Sequence, residues 1–116
     1  MKDIYDLADD LREFAEERDW NQYHMPKNLV MALSVEVSEL MEHFMWLDCL
    51  DHPSGKEALI QDEVADVFIY LVRLADVMGI ELLPAAFEKI EKNKVKYPAE
   101  RVKGRADKYT EYDLIP

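Results

Sequence analysis

Apolar residues Ile4, Leu7, Ala8, Leu11, Phe14 and Ala15 recur three and four positions apart, the interval that aligns one face of a helix. The pattern predicts a first amphipathic helix over about Asp3 to Arg18. A second is predicted from Lys27 or Asn28 to Leu47, with Pro26 near its first turn, where a missing amide is harmless. A third spans about Lys56 to Met78, and Gly79 supplies its C-terminal stop. Pro84 opens a fourth, with Phe87 and Ile90 on its buried face, ending near Tyr97 and Pro98. Two loops interrupt the periodicity: Asp19 to Pro26, rich in aromatics, and Asp48 to Gly55, with proline, serine and glycine in succession.

The third helix is apolar around much of its circumference, since Ala65, Ile69 and Val72 lie far from Leu59, Val67, Tyr70, Leu74 and Val77. A helix of that kind must be covered on several sides. One domain of 116 residues provides too little cover, so a neighbouring subunit is expected.

Carboxylates interrupt these apolar stripes. Glu36 and Glu39 stand three apart on the second helix, Glu63 and Asp66 three apart on the third. At about 100° per residue, Glu36 falls among Leu29, Ala32, Leu40 and Leu47, while Lys27, Ser34, Ser38 and Glu42 form the polar face. Glu63 falls among Leu59, Val67, Tyr70, Leu74 and Val77, with Asp66 at the rim towards Arg73. An ionised carboxylate held inward needs a cation or else stays protonated. Pairing with Arg73 or Lys56 is one solution. A metal ion is the other, and two inward pairs on adjacent helices favour it. Oxygen-only ligands suit a hard ion, Mg²⁺ or Mn²⁺, and not zinc.

Charge sharpens this picture. Twenty-five acidic residues against fourteen basic give a net charge of −11, which repels nucleic acid and anionic membranes. An acidic protein that takes a phosphate compound needs divalent cations to do so. Eight of the fourteen basic residues lie between Lys89 and Lys108, with three acidic ones, a candidate clamp for phosphate oxygens. In the first loop, Trp20, Tyr23 and His24 read either as a staple and capped turn or as a surface for stacking a base. His43, one turn beyond Glu39, reads as a core-edge histidine or as a partner of the carboxylates.

The lone Cys49 excludes an intrachain disulfide. Met1 to Asp10 lacks the basic and apolar regions of a signal peptide. No stretch is apolar enough to span a bilayer, so a cytoplasmic location is expected. Glycine-rich phosphate loops, nucleophile triads, CxxC pairs and the ExxH motifs of di-iron bundles are absent from the sequence.

The motifs Glu36-Val-Ser-Glu39 and Glu63-Val-Ala-Asp66, separated by one loop, resemble the ExxE and ExxD signature of the MazG-like nucleoside triphosphate pyrophosphohydrolases. RDWNQYH (Arg18 to His24), Pro26 to Asn28, DVFIY (Asp66 to Tyr70), KYP (Lys96 to Pro98) and KYT (Lys108 to Thr110) resemble the dCTP pyrophosphatase branch. The resemblance implies an all-α, four-helix subunit, a single domain over residues 1–116 with a tail from about Tyr109 to Pro116, assembled as a tight dimer or a dimer of dimers. It implies Mg²⁺-dependent hydrolysis of nucleoside triphosphates, dNTPs such as dCTP, to monophosphate and pyrophosphate, in nucleotide-pool house-cleaning. Glu36, Glu39, Glu63 and Asp66 become metal ligands, with Glu39 the preferred acceptor of a proton from water. Trp20, His24, Trp46, Tyr70 and Asn93 become nucleotide contacts, and Lys96 with the basic segment approaches the phosphates. The loop Asp48 to Gly55 is shorter than in animal members. The rival reading is a helical nucleotide-binding or regulatory module without catalysis, which would not need all four acidic positions.

Overall fold

In the computed structural model, residues 1–106, 108, 110 and 111 are described. They form five helices and no strand: α1 (Ile4–Glu17), α2 (Pro26–Glu42), α3 (Glu57–Val77), α4 (Leu82–Lys96) and α5 (Ala99–Val102). The expected four are joined by a single-turn fifth, set off by Pro98 at its N-cap. The chain divides into two units, Met1–Ile80 and Glu81–Pro116. Apart from Lys108, Thr110 and Glu111, the sequence after Ala106, and with it most of the expected tail, lies outside the described residues. No helix among the described residues is long and apolar enough to cross a membrane.

The ends of the helices have local causes. Asp3 caps α1 by accepting from the amides of Tyr5 and Asp6, and the Asp6 carboxylate accepts from the Asp3 amide in return. This reciprocal box satisfies amides that an isolated helix leaves open. At the other end Asp19 adopts a left-handed φ of 55°. There the amide of Trp20 reaches Ala15 O at 2.9 Å and that of Asp19 reaches Glu16 O at 3.1 Å, a Schellman closure. Gln22 bonds both the carbonyl and carboxylate of Asp19. Gly79, at φ 69°, ends α3 in the same way through Ile80 and Ala75.

In the first unit α2 packs along α3, and α1 lies against α3. Ala15, Leu29, Val72 and Ala75 are the buried apolar residues of this core, and Arg73 is buried among them. The outer faces of the same helices remain apolar and exposed: Val30, Met31, Val35, Val37 and Met41 on α2, Leu59, Val64 and Phe68 on α3. The core is small for the apolar content of the helices that build it.

Two expectations are corrected. The second helix ends at Glu42, not Leu47: His43 to Trp46 form turns, and Trp46 takes a left-handed φ of 70°. Phe87 and Ile90, expected to be buried, are 68% and 49% exposed. Among the described residues of the second unit α4 is followed by the short α5, and no residue of α4 is buried. Pro84 sits within the first turn of α4, which begins slightly earlier than predicted.

Candidate active site

Helix periodicity brings three of the four predicted carboxylates to one point. Glu36, Glu39 and Glu63 each offer an oxygen, and these oxygens lie within 4.8 Å of one another. Packing of α2 on α3 sets the arrangement, since each helix contributes through residues on its facing side. Glu36 Oε2 and Glu63 Oε2 are shut off from solvent and meet no donor. A buried carboxylate oxygen without a donor is costly, and three carboxylates at this separation repel one another.

The proton affinities carry this strain. Burial, with hydrogen bonding to Glu39 and the charges of Glu39, Asp66 and Glu63, pushes the Glu36 carboxyl up to about 7. Glu63 is raised chiefly by burial and then by Glu39 and Asp66, while His43 pulls in the opposite direction. His43 Nε2 stands 4.0 Å from Glu63 Oε1. None of the ion pairs among the described residues joins a lysine or arginine to the cluster. Arg73 pairs with Asp76 instead. Converging carboxylates, two orphaned oxygens and, among the described residues, no lysine or arginine paired to them form a set that could hold a divalent cation.

Asp66 stands beside this trio. It lines a cavity of about 360 Å³ with Asp10, Leu11, Phe14, Trp20, His24, Ile69, Tyr70 and Arg73. Its charge nonetheless acts on Glu36 and Glu63, so the cavity opens beside the carboxylates. Trp20 packs edge-on against Phe14 at 5.6 Å between centroids and tilts over His24 at 6.1 Å. The Tyr70 hydroxyl is held above its ordinary pKa by burial and by the charges of Glu36, Asp66 and Glu39. It remains a neutral donor at any pH of interest.

The MazG-like family model matches residues 31–112, which contain both carboxylate motifs. The chain belongs to the MazG-like family. It is 44% identical over 104 residues to human dCTP pyrophosphatase 1 and 42% identical over 104 residues to the mouse protein, in each case across 85% of this chain. It spans 61% of the length of either relative. A solved pyrophosphatase from Archaeoglobus fulgidus superposes with a TM-score of 0.79 at 41% identity, covering 84% of this chain and 94% of that one.

The structure thus gathers Glu36, Glu39 and Glu63, and sets Asp66, Trp20, His24 and Tyr70 around the adjoining cavity. Trp46 lies in the turn after α2 and is 95% exposed, so a position reckoned on a continued helix no longer applies to it. Asn93 and Lys96 belong to α4 in the second unit. Arg73, Leu11, Phe14, Ile69 and Asp10 were not expected in the cavity. For Arg73 the signal was present: it follows Asp66 and Tyr70 at helical intervals and shares their face.

Proposed function

We propose that this MazG-like chain hydrolyses nucleoside triphosphates, preferentially dNTPs such as dCTP, to the monophosphate and pyrophosphate, in cytoplasmic nucleotide-pool house-cleaning. The observation that carries the reading is the pair of buried, donorless oxygens of Glu36 and Glu63 beside an aromatic cavity. The similarity to dCTP pyrophosphatase 1 and to a solved pyrophosphatase supports the reaction and the base.

Glu36, Glu39 and Glu63 would hold the divalent cation, with Asp66 completing the acidic set towards the substrate. Bound there, Mg²⁺, or Mn²⁺ in its place, supplies the Lewis acidity that neutralises a triphosphate and makes water a better nucleophile. Glu39, whose side chain interacts with both Glu36 and Glu63, is the preferred acceptor of the attacking water's proton, in place of binding the metal throughout. Attack of water on phosphorus breaks the α–β anhydride bond and releases pyrophosphate. Trp20 stacks on the base, and His24 and Tyr70 bound its cavity. By motif resemblance, Trp46, Asn93 and Lys96 add nucleotide contacts.

The exposed apolar faces of α2 and α3 support a homo-oligomer, a dimer or a dimer of dimers. The deciding experiment is a panel of four dNTPs and four NTPs, with and without Mg²⁺, resolving pyrophosphate from orthophosphate. Metal-dependent pyrophosphate is the expected product. Orthophosphate, or no product from any nucleotide, would refute the reaction.

A further inference from the structure

Arg73 is the one buried charged residue among the described residues, and its hydrogen bonds run away from the carboxylate cluster. Its Nε donates to His24 Nδ1 at 3.1 Å, one terminal nitrogen donates to Asn21 Oδ1 at 2.8 Å, and the other lies 3.5 Å from Asp76 Oδ2. Asp76 in turn takes a two-pronged contact from Arg12 of α1. The guanidinium therefore ties the first loop, through two side chains, to helix α3.

Arginine can only donate, so Nδ1 of His24 must be the accepting nitrogen. The neutral ring then carries its hydrogen on Nε2, and Nε2–H is the donor that His24 has left for a ligand. Burial and the charge of Arg73 hold His24 below its ordinary pKa, which keeps the ring in this neutral form at pH 7. Both His24 and Arg73 line the cavity. Without Arg73 the imidazole could exchange tautomers and turn, offering a donor or an acceptor.

We propose that Arg73 is a positioning residue for base selection: it fixes His24 as an Nε2–H donor, so the cavity favours bases presenting a carbonyl oxygen or unprotonated ring nitrogen there. The inference rests on the nucleotide reading of the cavity. It adds to that reading the residue that sets the hydrogen-bond polarity of base recognition. Arg73 touches no reacting atom in this scheme and acts through His24.

The test combines a spectrum with kinetics. In the ligand-free protein, ¹⁵N resonances of His24 should show one tautomer, protonated at Nε2, and Arg73→Met should replace it with a mixture. The same variant should raise KM for the preferred dNTP roughly tenfold, the worth of about one hydrogen bond, with kcat little changed and base discrimination reduced. Asp76 keeps Arg12 as partner in that variant, so its carboxylate is not left bare. Arg73→Lys, which keeps the charge but not the fork, provides a second fold-preserving variant and should fall between. Combining Arg73→Met with His24→Gln should cost no more than the larger single loss, because both act on one contact. An unchanged His24 spectrum in both Arg73 variants would overturn the proposal, as would unchanged base ranking. Should the wild-type chain turn over no nucleotide, the spectrum and titrations with dCMP and dTMP still decide the role of Arg73, separately from the reaction.

Discussion

Glu36 on α2 and Glu63 on α3 face one another across the helix pair, each with its Oε2 buried and without a donor. Neither oxygen serves the fold. Replacing Glu36 or Glu63 by Gln should therefore lower turnover on the order of 100-fold or more, the scale of several kcal/mol of lost charge stabilisation. Circular dichroism should show helix content intact. Activity retained in either variant would remove its ligand role.

The raised Glu36 carboxyl makes the metal-free protein sensitive to pH. Its folded pKa of about 7 lies above the ordinary 4.5 of a glutamate, so between these values the folded state holds more protons than the unfolded one. Stability then falls as pH rises through that window. Melting in chelator should give a lower Tm at pH 8 than at pH 5, with Glu63, also raised, adding to the slope. Millimolar Mg²⁺ should flatten the slope and raise Tm at pH 8 by mass action. A Tm that climbs with pH in chelator would contradict the cluster's electrostatics.

Trp20 lines the cavity and is held there by its contacts with Phe14 and His24. Stacking of a base on an aromatic is worth about 1 to 3 kcal/mol. Trp20→Ala should raise KM for every dNTP roughly tenfold or more, with a smaller effect on kcat. An unaltered KM would place the base elsewhere.

Asp76 serves two arginines, Arg12 on α1 and Arg73 on its own helix. Its carboxyl is held below the usual range, first by the Arg12 hydrogen bond. Asp76→Ala should cost about 2 kcal/mol in denaturant unfolding, because it strips the buried Arg73 of its carboxylate. Arg12→Ala should cost less, since that side chain is largely exposed. The reverse order would show that the α1 tether, and not the charge of Arg73, governs this part of the core.

Val35 and Phe68 stand for the exposed apolar faces of α2 and α3. Charging them, by Val35→Glu with Phe68→Glu, should reduce the mass seen by light scattering to that of one chain. If the unmodified protein already scatters as one chain at micromolar concentration, the assembly reading fails.

Much of the carboxylate site was legible because it needs only local periodicity: residues three apart on a helix share a face whatever packs upon it. The cavity was legible only in part. Trp20, His24 and Tyr70 stood out by chemistry, but Arg73 reads from sequence only as a candidate partner of the inward carboxylates, and its three actual partners, two of them distant in sequence, give no such signal. The early end of α2 gave no signal, since Phe44 to Leu47 continue the apolar pattern without glycine or proline, and Trp46 takes a conformation most side chains avoid. The exposure of Phe87 and Ile90 was equally hidden, because periodicity tells which residues want cover and not what supplies it.

The closure at Asp19 also bears on how such a chain can vary in length. The Trp20 amide is pinned to the Ala15 carbonyl, so inserting or deleting one residue between them would swing the indole by about 100° around the helix end and take it out of the cavity lining. No residue lining the cavity lies between Asp48 and Gly55. Insertions and deletions should thus accumulate in the second loop among descendants of this chain, while the span from Phe14 to His24 keeps its count.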